Sequence, residues 1–404
     1  MSWHAVLRVG ALAGLAVTLL AMSMVAAPGP IAAQDEEDGV SSLETRGWRT
    51  DFSVASVLLE EIVPGGPPRD GIPSIDAPRF ESIEMARTWL AGKAPVIALE
   101  IDGHARAYPL AILSWHEIVN DSLGGVPVVV TFCPLCNTAL VFERTLDGRD
   151  LEFGTTGNLR FSDLVMYDRQ TESWWQQATG HAIVGELTGS RLRFLAAQLI
   201  GLDQFAAAWP DGDVLGRDTG YDRRYGDNPY TGFDSIDSRP FSSAGGDIDG
   251  IAPKERVVSV GEGSDGIAFP HSWLRTVGVA EAAVDGEPIV VFWAPLGDAG
   301  PGAVSIAVRD IGSTGVFSPM VDGRQLTFVR AGGEGGPITD VETGSTWTVT
   351  GHAIDGPLLG AALRPVVHAD HFWFAWAAFV PDTRIWTPPD EGPRKGPATR
   401  SAGG

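Results

Sequence analysis

The chain has two cysteines, three positions apart in Cys133-Pro134-Leu135-Cys136. Thiols at this spacing can form a redox couple, half of a soft-metal site or a structural bridge. A thioredoxin-type couple would open a helix, whose N-terminus acidifies the leading thiol. Here the run Asn137-Thr-Ala-Leu-Val-Phe142 follows, apolar and β-branched, so the motif is expected as a tight turn between two strands. Asn137 suits the end of such a turn because asparagine tolerates positive φ better than most residues.

A Cys-Pro-x-Cys turn of this form resembles the metal knuckle of rubredoxins and zinc ribbons, which complete their site with a second cysteine pair. With no third cysteine, any metal here must draw further ligands from His, Asp, Glu, Met or water. His116 is the expected third ligand. It shares a helical face with Leu113 and so should point inward. Asp163, Tyr167 and Arg169 in Phe161-Ser-Asp-Leu-Val-Met-Tyr-Asp-Arg169 are candidates for a pocket beside the thiols, with Asp163 or water as a fourth ligand. Two thiolates and an imidazole favour copper or zinc over calcium or magnesium.

The elements that carry these residues occur twice. Tyr108-Pro109 through Val129 aligns without a gap on Phe269-Pro270 through Val290. The offset carries Cys133 onto Ala294, Cys136 onto Gly297 and His116 onto Val277, so all three candidate ligands are missing from the second copy together. Thr179-Gly-His181-Ala-Ile matches Thr350-Gly-His352-Ala-Ile, Asp168 matches Asp340 and Trp175 matches Trp347. Features kept in both copies read as scaffold, His181 included.

Asp102-Gly103, Asp147-Gly148 and Asp322-Gly323 stand between apolar runs and predict β-hairpins. The three-and-four spacing of Ile112, Leu113, His116, Val119 and Asn120 predicts a helix over 111–121, and a shorter one is expected around 54–62. The expected fold is α+β but mainly β: two tandem, related β-rich halves with few short helices.

Residues 1–33, with Arg8 as their only charge and an apolar stretch from Val9 to Ala27, read as a signal peptide. The protein is therefore expected outside the cytoplasm, touching a membrane only if that segment stays uncleaved. Residues 34–77 read as an acidic and Pro/Gly-rich linker, 78–217 as the first repeat and 218–253 as a connection. Residues 254–388 read as a degenerate second repeat, and 389–404 as a disordered tail. A net charge of −22 argues against nucleic acid as a partner.

The runs Trp115-His-Glu-Ile-Val-Asn-Asp121, Cys133-Pro-Leu-Cys-Asn-Thr-Ala139 and Ser162-Asp-Leu-Val-Met-Tyr-Asp-Arg169 together resemble domain of unknown function 3179. That resemblance implies a site at His116, Cys133 and Cys136 and leaves its chemistry open. Three functions fit: an exported metal-binding protein, a thiol–disulfide redox protein using Cys133 and Cys136, and a non-catalytic extracellular binding module with a structural disulfide.

Overall fold

The computed structural model describes residues 43–241, 251–296 and 311–389. The expected signal peptide, residues 34–42 of the expected linker, Gly297 and all of the expected tail except residue 389 lie outside the described residues.

The fold is mainly β, with short helices between strands. In the first region, Pro95–Ile101 and His104–Pro109 form a hairpin that runs straight into the helix Leu110–His116. Next come Ile118–Leu123, Val126–Cys133 and Thr138–Glu143, paired antiparallel in sequence order. A further sheet sets Phe153–Arg160, Asp163–Asp168, Trp174–Gln176 and His181–Val184 side by side.

The second region repeats this succession. Arg256–Val260, Ile267–Pro270 and the helix His271–Val277 are followed by Val279–Val284, Glu287–Ala294 and Ser313–Phe317. A four-stranded sheet from Phe328–Arg330 to Ala353–Asp355 then matches the last sheet of the first region in strand order. In both regions one late strand joins the leading hairpin in parallel: Asp213–Leu215 beside His104–Pro109, and Arg384–Ile385 beside Ile267–Pro270.

Local turn chemistry sets the hairpins. Asp102-Gly103, Asp147-Gly148 and Asp322-Gly323 all take positive φ at both residues, as a two-residue turn matched to strand twist requires. The expected helix over 111–121 is corrected: it stops at His116, and Val119 and Asn120 lie in the strand Ile118–Leu123. Glu117 takes φ 58° and ψ −30°, which ends the helix. The strand is buried on both faces at 118–121, so its apolar run imitated a helix face. Around 54–62 there is a 3-10 turn, Leu59–Glu61, followed by the strand Ile62–Pro64.

The expected linker packs onto the first region as far as it is described. Ile62–Pro64 is an edge strand on Phe153–Arg160, and Trp48, Phe52 and Val57 pack against a cluster containing Trp174 and Val184. The two regions also share cores. Strand Ala369–Phe372 lies against Thr138–Glu143, and strand Ala197–Gly201 lies against Ser313–Phe317. One apolar cluster joins Val96 and Ile200 to Phe292, Phe317 and Trp347.

Candidate functional site

Cys133 ends one strand and Thr138 begins the next, so the thiols sit on a turn between strands as the sequence predicts. Cys136 N–H donates to the Cys133 carbonyl at 3.3 Å, and Asn137 takes φ 53°. Both cysteines are free and buried, and their sulfurs are 2.8 Å apart.

Opposite them the hairpin between Phe153–Arg160 and Asp163–Asp168 turns through Phe161 and Ser162, at φ 54° and 68°. This turn aims the Ser162 carbonyl at both thiols, 3.1 Å from Cys136 Sγ and 3.6 Å from Cys133 Sγ. It also places Asp163 Oδ1 at 3.2 Å from Cys136 Sγ. Cys133, Cys136 and Asp163 thus offer ligand-type atoms within 4.8 Å of one another, the one such group of three or more His, Cys, Asp and Glu among the described residues.

The other oxygen of Asp163 accepts from Gln176 Nε2 at 2.5 Å and Ala178 N–H at 2.9 Å, which holds the carboxylate in place. Burial nevertheless lifts its pKa to about 6. Burial raises both thiols above their ordinary value, Cys136 the further. Burial thus favours the protonated thiols, beside a carboxyl group whose pKa it raises to about 6.

His116 takes no part in this cluster. It is buried, as its helical position implies, but its Nδ1 meets the Pro73 carbonyl at 2.7 Å and its Nε2 the Tyr225 hydroxyl at 2.6 Å. Burial holds it neutral, with a pKa of about 4. Tyr167 lies toward the far end of its strand from Asp163, about 13 Å away at the usual rise, and Arg169 follows just beyond that end. Tyr167 donates to Asp70 at 2.6 Å, while Arg169 binds Asp76 and Ser74, so both fasten the 70–76 segment to the sheet. Of the sequence-derived candidates, the structure brings together Cys133, Cys136 and Asp163.

It adds Glu117, which sequence reasoning passed over for its neighbour. The Glu117 carboxyl is buried, takes a hydrogen bond from Tyr230 at 3.2 Å and has its pKa raised by burial to about 8. Its charge acts on Cys133, and Asp163 acts on it, so the three share one electrostatic environment. The sequence signal was available: the gapless offset carries Glu117 onto Gly278, a residue suited to the positive φ that both positions adopt.

Tyr230, from the expected connection, and Lys254, the first residue of the expected second repeat, also reach the site. Lys254 is buried with a pKa lowered to about 7, donates to the Phe233 carbonyl and to Ser238 Oγ, and interacts electrostatically with Cys136.

The second region closes the site. Phe372 N–H donates to the Cys136 carbonyl at 2.7 Å, and Ala369, Phe372, Phe374 and Ala375 join Cys133, Leu135 and Cys136 in one apolar cluster. His371 meets the hydroxyl of Thr138 at 2.8 Å.

Four non-glycine residues around the site hold positive φ: Glu117, Phe161 and Ser162, which disfavour it, and Asn137, which tolerates it. Among the described residues, the other non-glycine residues with positive φ are five aspartates and Glu172. Strain of this kind, about 1–3 kcal/mol per residue, persists where the surrounding structure enforces it and collects at functional sites.

Among the described residues, no helix is long and apolar enough to cross a membrane. No curated protein and no solved structure matches the chain. A family model does match, over residues 69–383, so the stretch holding both regions and the thiol site belongs to the family described as protein of unknown function DUF3179.

Proposed function

We propose that Cys133, Cys136 and Asp163 bind a single soft or borderline metal ion, copper or zinc. One observation carries this reading: three ligand-type atoms from two separate strand–turn units converge within 4.8 Å of one another, all on buried residues. Two thiolates and a carboxylate leave one position of a tetrahedral zinc open, the pattern of a site that takes water or a substrate.

Metal entry displaces the thiol protons, so affinity rises with pH. Zinc–sulfur bonds of about 2.3 Å place tetrahedral sulfurs roughly 3.8 Å apart, so loading spreads the pair from 2.8 Å. Glu117 and Tyr230 then flank an anionic centre, which favours the protonated form of the Glu117 carboxyl.

The direct sulfur contact supports a second reading, a dithiol–disulfide couple. Burial and the raised thiol pKa values weigh against it, because the exposed thiolate is the reactive form. Export is supported by the composition of residues 1–33. Descent of both regions from one duplicated unit is supported by their matching strand order and the gapless alignment.

Titration of the chelator-treated protein with Co2+ tests the metal reading. The expected result is a thiolate-to-cobalt charge-transfer band that saturates at one equivalent, is absent from Cys133→Ser/Cys136→Ser and is weakened in Asp163→Asn. A wild type without the band, or a double variant that retains it, contradicts the reading.

A further inference from the structure

A cavity of about 650 Å3, a size that suits a small organic molecule, lies in the first region away from the thiols. It is bordered by Gly103 to Arg106, by the turn Leu123-Gly124-Gly125 and by residues 208–213. The strand leaving that turn starts at Val126 and ends at Cys133, so the thiols are about 23 Å off at the usual rise.

The turn Trp209-Pro210-Asp211 on the cavity wall has a counterpart in Val380-Pro381-Asp382. Both are closed onto the carbonyl of their first residue, by Gly212 N–H in one region and Thr383 N–H in the other. Val380 is buried, whereas Trp209 is only partly buried, with its ring held by Phe205 and His352 at centroid distances of 5.5 Å. The backbone is kept, and tryptophan is present only where the cavity is.

Four residues after Trp209 the charge is reversed. Asp213 stands beside Arg106 in the parallel strand pair, and Arg384 holds the same position beside Ile267. The Arg384 guanidinium donates to the carbonyls of Asp265 at 3.3 Å and Ala283 at 2.9 Å, which the 161-residue offset makes the counterparts of His104 and Ser122. A side chain at this register therefore reaches toward the cavity's place in the fold, and the second region supplies its own cation there. The first region puts an exposed carboxylate there instead. Neither Asp211 nor Asp213 has a side-chain hydrogen bond or ion pair among the described residues. The guanidinium on the wall, Arg106, is neutralised by Asp121, whose two oxygens lie 2.8 and 2.7 Å from its Nη1. Two uncompensated carboxylates thus border the cavity together with an aromatic ring.

We propose that this cavity is a binding site for a small planar organic cation of the amidinium or guanidinium class, which pairs with Asp213 and Asp211 and lies against Trp209. A flat, delocalised cation can meet a carboxylate through two parallel N–H bonds and an indole through its face. The site stands independently of the metal.

The test uses the purified full chain at pH 8, above the ordinary histidine range because His104 also lines the cavity, with 4-aminobenzamidine as probe. Its fluorescence or calorimetry follows binding. The comparators are 4-aminobenzamide, of the same shape without the charge, and 4-aminobenzoate, of opposite charge. Expected is saturable one-to-one binding of the amidine, about tenfold tighter than the amide, as one cation–π contact and one partly exposed ion pair together imply. That advantage should shrink as salt is raised. Asp213→Arg, which copies the second region, should abolish amidine binding, and Trp209→Val, which also copies it, should weaken it about fivefold. Equal affinity for amidine and amide, tighter binding of the benzoate, absence of saturable binding, or full amidine affinity in Asp213→Arg overturns the proposal. The wild-type comparison decides even if a variant fails to fold.

Discussion

Glu117 and Gly278 do the same backbone work in the two regions. Each ends a seven-residue helix, at φ 58° with ψ −30° and φ 75° with ψ −25°. Each donates its N–H to the helix carbonyl four residues back, Leu113 or Leu274. Each also accepts from the second strand after the helix, Phe132 N–H in one region and Trp293 N–H in the other. Glycine is the residue this conformation favours; the first region holds a buried carboxyl there.

The turn into Asp163–Asp168 shows the same contrast. The first region turns through Phe161 and Ser162, whereas the second reaches Ile338–Asp340 through Gly332, Gly333 and Gly335. By contrast, the knot in which Trp175 and Thr171 donate to Asp168 is reproduced by Trp347 and Thr343 on Asp340, with both indole bonds at 3.0 Å. Scaffold is common to both regions. Strain is concentrated where the thiols are, which is the pattern expected when chemistry and not stability selects the residue.

The largest expected effect concerns the third ligand. Asp163→Asn keeps the shape but removes the charge, and should weaken metal binding at least about 100-fold, given that even outer-shell changes lower affinity 10- to 100-fold. Competition against a chromophoric chelator measures it, and affinity within threefold of wild type would detach Asp163 from the site.

His116→Ala should separate structure from ligation. It removes the bonds to Pro73 and Tyr225 from a buried position, so about 3 kcal/mol of stability should be lost in urea unfolding, with metal stoichiometry unchanged. Loss of metal from a folded His116→Ala protein would restore histidine to the site.

The helix-end pair sharpens the comparison directly. Glu117→Gly should stabilise the metal-free protein by about 1 kcal/mol through relief of strain. Gly278→Ala should destabilise it by about 2 kcal/mol, because the new Cβ needs positive φ and would lie 2.1 Å from Arg330 Cζ. Opposite signs in denaturant midpoints support the contrast, and equal signs break it.

A further prediction is the pH dependence contributed by Glu117. Its pKa rises from an ordinary 4.5 to about 8 on folding, so the folded protein binds the extra proton between those values. This contribution is fully present below pH 4.5 and is lost as pH rises toward 8. Metal-free wild type should therefore lose stability relative to Glu117→Gln by up to about 1.4 kcal/mol per pH unit across that window. Parallel pH profiles for the two proteins would show that Glu117 titrates normally.

The cysteine turn was legible because its chemistry is local: proline, the thiol spacing, Asn137 and the β-branched run after it all point to a strand–turn–strand. The Asp-Gly hairpins were legible for the same reason. The Phe161–Ser162 turn was not, because it puts Phe and Ser at positive φ, where Gly, Asn and Asp are the usual residues, and that turn delivers Asp163. The helix pattern correctly put His116 inside, but the interior has more than one direction, and the positive φ at Glu117 sends the next side chain toward the thiols instead. The cover supplied by Phe372 and Phe374 lies more than two hundred residues from Cys136, and no periodicity in either stretch records that contact.

Elemental analysis of the purified wild type beside Cys133→Ser/Cys136→Ser, with Glu117→Gly as a folded control, tests the central claim most directly. The account predicts close to one equivalent of copper or zinc in the wild type and none in the double variant. No metal in the wild type after exposure to both ions, or the same metal content in the double variant, would contradict it.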